Sequence, residues 1–472
     1  MLPTVIIASI ACCWIFALYS PRWYLRALCA AAPWQGLYLV MVWNIDAYKI
    51  GLLLSPLLLL TLRRWGKLGK LLLPLVLLAA YAACLAVWQM MTKEVAAFDQ
   101  LGHLSLPARL TAANTLFLCK LLVAVIACNI VRSRADALGC INAYVHSVFV
   151  LALYGIVQEL AFLATGNPLT PMYTHGLLGG YQRVAAAEVF GVTFLRVHSF
   201  SMEPKDLALF LVPAIAFLSA SLSVARANRG RRDWFRWTQL AIMIAAGLLT
   251  FSTSLVLAIP PTIVAVELIR PSLRLKKKGR RAFAIILICL CAAPLYSVLW
   301  SVRVGDRVAA SRTGIFQESR EAPAIQFFED HLPRSLFGYG VGTQAFYLPT
   351  YMSPEFRNMV LMADASAGID SFWFSILLDL GLPGIILVAY ACKVGLGIGK
   401  ASAGSLANWP YRAAFLGSIL ICVALQGDLR AGVIWLFMVF AYRACNPDVG
   451  GTANVDVRRL RPLRPLYSRR VA

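Results

Sequence analysis

Apolar runs of about 18 or more residues recur along the chain, interrupted by short charged clusters and three longer polar stretches. Runs of that length match helices that cross a bilayer. They predict spans near 3–20, 27–45, 48–62, 70–91, 108–131, 138–164, 206–225, 238–252, 253–270, 282–302, 371–395, 411–427 and 429–445. The third is short, and the eighth and ninth can form one broken unit, so the count is about 13. Spanning strands would show only a weak alternation over about ten residues, which is not the pattern here. The expected fold is all-α, a polytopic integral membrane helical bundle with one large loop between the tenth and eleventh helices. Residues 1–302 then hold helices 1–10, with a smaller loop at 165–205. Residues 303–369 form the large loop, 370–445 hold helices 11–13, and 446–472 form a basic tail expected to be disordered.

Composition supports this reading. The chain has 472 residues, of which 60% are hydrophobic, and its mean hydropathy is +0.71. Soluble domains sit near 45–50% apolar. The 12 cysteines all fall in or at the ends of apolar runs, with no CxxC pair, and read as small hydrophobes. No disulfide framework, metal site or cofactor is expected.

The formal charge of +22 invites a nucleic-acid reading, which its distribution argues against. The basic clusters are "RRWGK" (63–67), "RSR" (132–134), "RANRGRRDWFR" (226–236), "RPSLRLKKKGRR" (270–281) and "RRLRPLRPLYSRR" (458–470). All land on one side of the predicted threading, which the positive-inside rule makes cytoplasmic. The opposite loops, 92–108, 165–205 and 303–369, are longer and charge-balanced or slightly acidic. The charge is thus a topology signal and an attraction to anionic lipid, and the expected partner is the bilayer, with no nucleic acid. The N-terminal run lacks a basic n-region and reads as a first spanning helix, and the C-terminus is expected in the cytoplasm. No internal repeat with matched broken helices stands out, which weakens a secondary-transporter reading.

Two polar stretches could carry chemistry. In "FLRVHSFSMEPKDLALFLVPAIAF" (194–217), Arg196, His198, Glu203, Lys205 and Asp206 cluster where a loop enters a helix whose first turn holds Pro204. These charges either cap the helix at a headgroup boundary or, with Arg196 and Lys205 beside a helix N-terminus, hold a phosphate. The 303–369 loop carries Arg303, Arg307, Arg312, Arg320, Arg334 and Arg357, seven acids, His331 and no lysine. Guanidinium suits bidentate capture of a diphosphate or carboxylate, while the plainer reading is a solvated loop of mixed charge. Within it, "RSLFGYGVGTQAFY" (334–347) places Gly338, Gly340 and Gly342 at spacing two. That spacing suits a tight backbone passage or amides presented to an anion.

Acids inside or at the lips of spans are costly and therefore of functional interest. Glu267 and Asp428 have arginine neighbours in sequence, and Glu159 lies within a span. Asp370 and Asp379 are nine residues apart, about 13–14 Å along a helix, too far to act as a carboxylate pair. Asp370, at the lip, is the better candidate base, and Asp379 is expected to pair within the bundle. His146, in mid-span, reads as an interhelical hydrogen-bonding group.

The order of these segments resembles a family. "RVHSFSMEPKDLALF" enters a helix and "LLTFSTSLVLAI" (248–259) follows; "RSLFGYGVG" lies in the large loop and "DSFWFSILLDLGLPGIILV" (370–388) opens the next helix. Over residues 194–390 the chain resembles the O-antigen polymerase/ligase superfamily of bacterial envelope glycosyltransferases, and within it the Wzy-type exopolysaccharide polymerases. The resemblance implies a multi-pass inner-membrane enzyme that works without metal on its periplasmic face. It would transfer a growing glycan from undecaprenyl pyrophosphate to the sugar hydroxyl of a new lipid-linked repeat unit. By position, Arg196, Lys205 and Arg312, with Arg303 and Arg320 next, would hold the pyrophosphate. Glu203, Asp370 and His198 would be the candidate catalytic groups. Ligases of the superfamily have a histidine where this chain has Asp370, a departure that argues against ligation to lipid A-core. A chain-length regulator and other polysaccharide assembly proteins would be partners. An O-antigen ligase-type transferase and a transporter or flippase of lipid-linked saccharide are the alternatives. A flippase would line a path through the bundle with charge, whereas here charge concentrates in loops and at their lips.

Overall fold

The computed structural model describes residues 2–34, 38–40, 44–61, 69–94, 100–101, 104–166, 169, 186–189, 192–195, 197, 199, 204–227, 233–250, 259, 262–266, 321–354, 357, 372–398, 405–425 and 432–446. Within them the chain is mostly helical, with strands confined to three two-stranded hairpins. Five of the described helices are long and apolar enough to cross a membrane, at 69–92, 106–130, 134–165, 207–225 and 374–395. The chain is an all-α membrane protein.

The chain starts with α1 (Leu2–Leu18). It turns at Ser20 into α2 (Pro21–Ala31), where Pro21 occupies the first turn and its missing N–H costs nothing. The run at 27–45 was expected to form one spanning helix. Instead α2 ends in a 3-10 turn at Ala32–Trp34, and β1 (Tyr38–Val40) pairs antiparallel with β2 (Asn44–Asp46). Pro33 cannot continue a helix, and the aromatic and β-branched residues beyond it favour a pleated strand. The chain re-enters helix at α3 (Ala47–Leu54), where the Asp46 carboxylate accepts from the Lys49 amide at 2.7 Å and pairs with the Lys49 ammonium at 3.2 Å.

Next come α4 (Leu72–Thr92), α5 (Leu106–Ile130) and α6 (Arg134–Thr165). Side-chain caps start α5 and α6. The Ser105 hydroxyl accepts from Ala108 N at the start of α5. Ser133 and Asp136 form a reciprocal capping box at the start of α6, which Gly166 closes in the left-handed region at φ 69°. A hairpin of β3 (Ala186–Val189) and β4 (Val192–Leu195) leads to α7 (Pro204–Ala227), followed by α8 (Trp234–Leu249). The runs expected at 70–91, 108–131, 138–164 and 206–225 thus form helices within a few residues of those bounds. Of the expected spans at 253–270 and 282–302, Ile259 and residues 262–266 are helical, and the rest lies outside the described residues.

The longer helices among the remaining described elements are α9 (Glu321–Asp330), α10 (Phe372–Gly395), α11 (Trp409–Leu425) and α12 (Val433–Cys445). Helix α12 is buried at every position and packs against α5, α6, α10 and α11. Helices α7 and α11 approach closely at Gly417, where a side chain would meet Ala216 Cβ at 2.8 Å.

The bundle has two ends. Thr92, Leu106, Thr165 and Phe372 mark the loop end. Ile130, Arg134 and Cys445 mark the basic end, where the buried Arg443 donates from Nε to the Cys128 carbonyl at 2.6 Å. Large apolar side chains cover the outer surface, with Phe16 82% and Leu60 84% exposed, as a lipid-facing wall requires.

Candidate functional site

The site is built on a break in a membrane helix. Helix α10 would be continuous from Phe372 to Gly395, but Gly381 sits at φ 65°, ψ −168° and interrupts it, two residues before Pro383. A break frees carbonyls, and in an apolar bundle each must find a donor. The glycine segment of the large loop supplies them. Tyr339 N donates to Leu378 O at 2.8 Å and Gly340 N donates to Asp379 O at 2.7 Å.

Gly338, Gly340 and Gly342 all have positive φ, at 79°, 99° and 89°. At two of them the space is closed as well. A Cβ on Gly338 would lie 2.5 Å from Gly381 N, and one on Gly342 would lie 2.6 Å from Ala113 Cβ. The Gly338 amide donates within its own turn to Ser335 O, at 3.3 Å. The amides of Gly338 and Gly340 are therefore engaged inside the protein, in a tight backbone passage.

This loop is re-entrant. Gly340 faces Leu85 of α4, seven residues before Thr92, and Gly342 faces Ala113 of α5, seven residues after Leu106. Gly338 meets Gly381 of α10, nine residues after Phe372. At 1.5 Å per residue, three helices independently put the segment about 10–13 Å below the loop end. Non-helical backbone at that depth persists only when it is enclosed by protein, and Tyr339 and Val341 are fully buried. Side chains complete the enclosure. Asn114 donates to Val341 O at 3.3 Å, and Tyr81 donates from its hydroxyl to Phe337 O.

The segment is part of a small polar-rimmed lobe formed by α9 and residues 331–352. Its core is aromatic. Phe327 stacks on Tyr347 (3.8 Å between centroids, 15° interplanar) and on His331 (4.3 Å, 29°), with Tyr339 and Tyr351 edge-on. Burial, reinforced by the neighbouring Asp379 charge and Tyr339, holds the Tyr347 hydroxyl well above its usual range. Among the described residues that hydroxyl has no hydrogen-bond partner.

Beneath the lobe, the Gln344 amide nitrogen donates to Ser375 Oγ at 2.9 Å and to Asp379 Oδ1 at 3.0 Å. Asp379, at 3% exposure, is thus held by the loop. At the rim, Arg334 Nε reaches both Glu94 oxygens at 3.1 and 3.2 Å, and Nη1 donates to Gly338 O at 2.9 Å. Its guanidinium lies 5.0 Å from the Tyr339 ring centroid, and Trp88 Nε1 donates to the same Glu94 at 3.2 Å.

The other expected site segment packs on the loop end of α6. Val197 N donates to Leu249 O at 3.0 Å, Ser199 N donates to Gln158 Oε1 at 2.9 Å, and Ser199 Oγ donates to Leu151 O at 2.8 Å. Ser199 takes φ 55°, and Gly155 leaves the room that Val197 occupies. Lys205 lies in the first turn of α7, which begins at Pro204.

Of the residues expected to act, Gly338, Gly340 and Gly342 are described with their surroundings. Arg196, His198, Glu203, Arg303, Arg312, Arg320 and Asp370 lie outside the described residues. Arg334 was named only as one of the loop arginines, and Glu94, Asn114 and Gln344 were not singled out in the sequence, because each is one polar residue among many until the fold gives it a partner. Among the described residues no three His, Cys, Asp or Glu side chains gather as a metal-ligand set. Comparison with family models, curated proteins and solved structures finds no match to this chain.

Proposed function

We propose that the chain is a membrane glycosyltransferase that polymerises oligosaccharide repeat units carried on undecaprenyl pyrophosphate. It would make exopolysaccharide, capsule or O-antigen at the periplasmic face of the bacterial inner membrane. On this reading about 13 spans put the loop end outside and the basic end and C-terminus in the cytoplasm. The observation that carries the proposal is the re-entrant glycine segment. It anchors a polar, arginine-bearing lobe at the lip of a bundle, the depth at which a lipid-borne diphosphate and its sugar would lie.

Arg196, Lys205 and Arg312, with Arg303 and Arg320, would grip the diphosphate and stabilise the charge it gains on leaving. The acceptor hydroxyl must lose a proton as it attacks the anomeric carbon, and Glu203, Asp370 and His198 are candidates for that base. A chain-length regulator and other polysaccharide assembly proteins would be the enzyme's protein partners.

Arg196→Ala and Arg312→Ala should each leave the protein inserted and stop polymer growth in cells. Full-length polysaccharide in either variant would show that the site is misassigned. A strain lacking the protein should accumulate a single lipid-linked repeat on the outer face. Accumulation on the inner face would indicate a flippase, and a full-length polymer left on its lipid carrier would indicate a ligase.

A further inference from the structure

We infer that His331 is the group that takes the proton from the acceptor hydroxyl, a role for which the geometry of the lobe equips it. The inference rests on the polymerase reading and goes beyond it, since it draws on none of the three base candidates named above.

His331 follows the last residue of α9, and its Nδ1 lies 2.9 Å from the Phe327 carbonyl oxygen. A carbonyl can only accept, so Nδ1 carries the hydrogen, and in the neutral ring Nε2 holds a bare lone pair. The ring is fixed from a second direction by its stack on Phe327. One nitrogen and one face are therefore committed to the protein, while the residue as a whole is exposed. A base needs that arrangement, with one atom available and the rest held still.

The surroundings match a sugar hydroxyl. Arg334 lies three residues further on, and both side chains border the same Tyr339 ring, His331 at 6.4 Å between centroids and Arg334 at 5.0 Å. Arg334 spends Nε on Glu94 and Nη1 on Gly338 O, which leaves Nη2 without a partner among the described residues. A base and an unspent guanidinium nitrogen on one rim can accept a proton from one sugar oxygen and donate to the next. The half-buried Tyr351 ring lies 6.4 Å from the imidazole, and the exposed Asp330 carboxylate neighbours Tyr351.

In the step itself, the acceptor oxygen passes its proton to Nε2 while its electron pair forms the bond to the anomeric carbon. The bond from that carbon to the diphosphate oxygen breaks, and its electrons leave with the lipid diphosphate. The imidazolium then returns its proton to water. No oxidant, reductant or further reactant is needed.

The plain alternative is that His331 only caps the carboxyl end of α9. Two variants separate these roles in the full-length protein reconstituted in vesicles, with a lipid-diphosphate-linked oligosaccharide as both donor and acceptor. His331→Asn keeps a donor for the Phe327 carbonyl and removes the base. His331→Ala removes both and leaves room for free imidazole. Both should lose about 100-fold in chain-lengthening rate with the KM for the lipid-linked sugar nearly unchanged, and imidazole should restore about tenfold of that loss to His331→Ala. Lengthening by wild type together with either an Asn variant within about twofold of it, or an Ala variant that imidazole does not rescue, would overturn the inference and leave the polymerase reading standing. Failure of the wild-type protein itself to lengthen the lipid-linked sugar would instead overturn that reading, and the inference with it.

Discussion

Gly338 and Gly381 meet backbone to backbone, and this contact dictates which glycines the protein needs. Gly338→Ala adds a methyl group 2.5 Å from a main-chain nitrogen at φ 79°. Neither side can yield, so the cost should be about 2–4 kcal/mol. Gly340→Ala meets nothing nearer than 3.6 Å and is left with the left-handed strain alone, about 1–2 kcal/mol. Thermal unfolding in detergent should rank Gly338→Ala well below Gly340→Ala, and the reverse order would refute the wedge. Tyr347→Phe should act in the other direction. It deletes a buried hydroxyl that lacks a partner among the described residues, next to the buried Asp379, and should stabilise by about 1 kcal/mol in the same measurement. The glycine spacing was visible in the sequence because positive φ leaves a compositional mark. The debt of Tyr347 was not, since a tyrosine in an aromatic phrase looks the same whether or not its hydroxyl is satisfied.

At the scale of elements, the lobe of α9 and residues 331–352 behaves as a tyrosine-rich unit. Burial is the largest cause raising Tyr347 and Tyr351, with Asp330 adding to the effect at Tyr351. An unfolded tyrosine ionises near pH 10. The folded groups hold their protons to higher pH, so the stability they add is complete below about pH 10 and is lost as pH rises through the folded values. Tyrosinate absorbance should therefore appear together with opening of the lobe, and ionisation without opening would refute this coupling. Arg334→Ala removes the clasp between Glu94 and Gly338 O. The pair is partly exposed, so the loss should be only about 1 kcal/mol, and a double-mutant cycle with Glu94→Ala should show part of it as coupling.

Helix existence was largely legible in the chain, because the length of an apolar run and its Ser, Asp and Gly caps are local. The break in α10 was half legible. Gly381 and Pro383 punctuate the run, but hydropathy averages over them, and the loop that fills the gap comes from about 40 residues away. The β1–β2 hairpin was hidden, since a short apolar stretch has no period that tells strand from helix.

At the scale of the molecule, exposed aromatic residues mark where the bilayer should begin and end. Trp88 lies near the loop end, and Trp234, Phe235 and Trp237 stand at the start of α8 beside the basic cluster. Amphipathic rings favour the headgroup level, so these two sets should bracket the hydrocarbon layer. A cysteine placed at Gln100 should react with an impermeant thiol reagent in intact cells, and one placed at Asn228 should react only after the membrane is opened. The opposite pattern would invert the topology. The candidate site was only partly readable at this scale, because it joins residues from 81 to 381, and single polar positions carry no hint of partners so distant.

The re-entrant glycine segment also bears on the order in which the protein is made. Synthesis produces residues 338–342 about 30 residues before Phe372, so the donors exist before the carbonyls they will serve. The first half of α10, from Phe372 to Leu380, is about 13 Å long and cannot cross a bilayer by itself. Helix α10 must therefore enter the membrane whole, with its carbonyls at 378 and 379 either still in the helical ladder or briefly unserved. The earlier-made segment can close on them only after α4, α5 and α10 stand side by side. Completion of the site is thus a late step in biogenesis, separate from insertion. A variant such as Gly338→Ala should accumulate as a fully inserted protein whose loop remains open to protease.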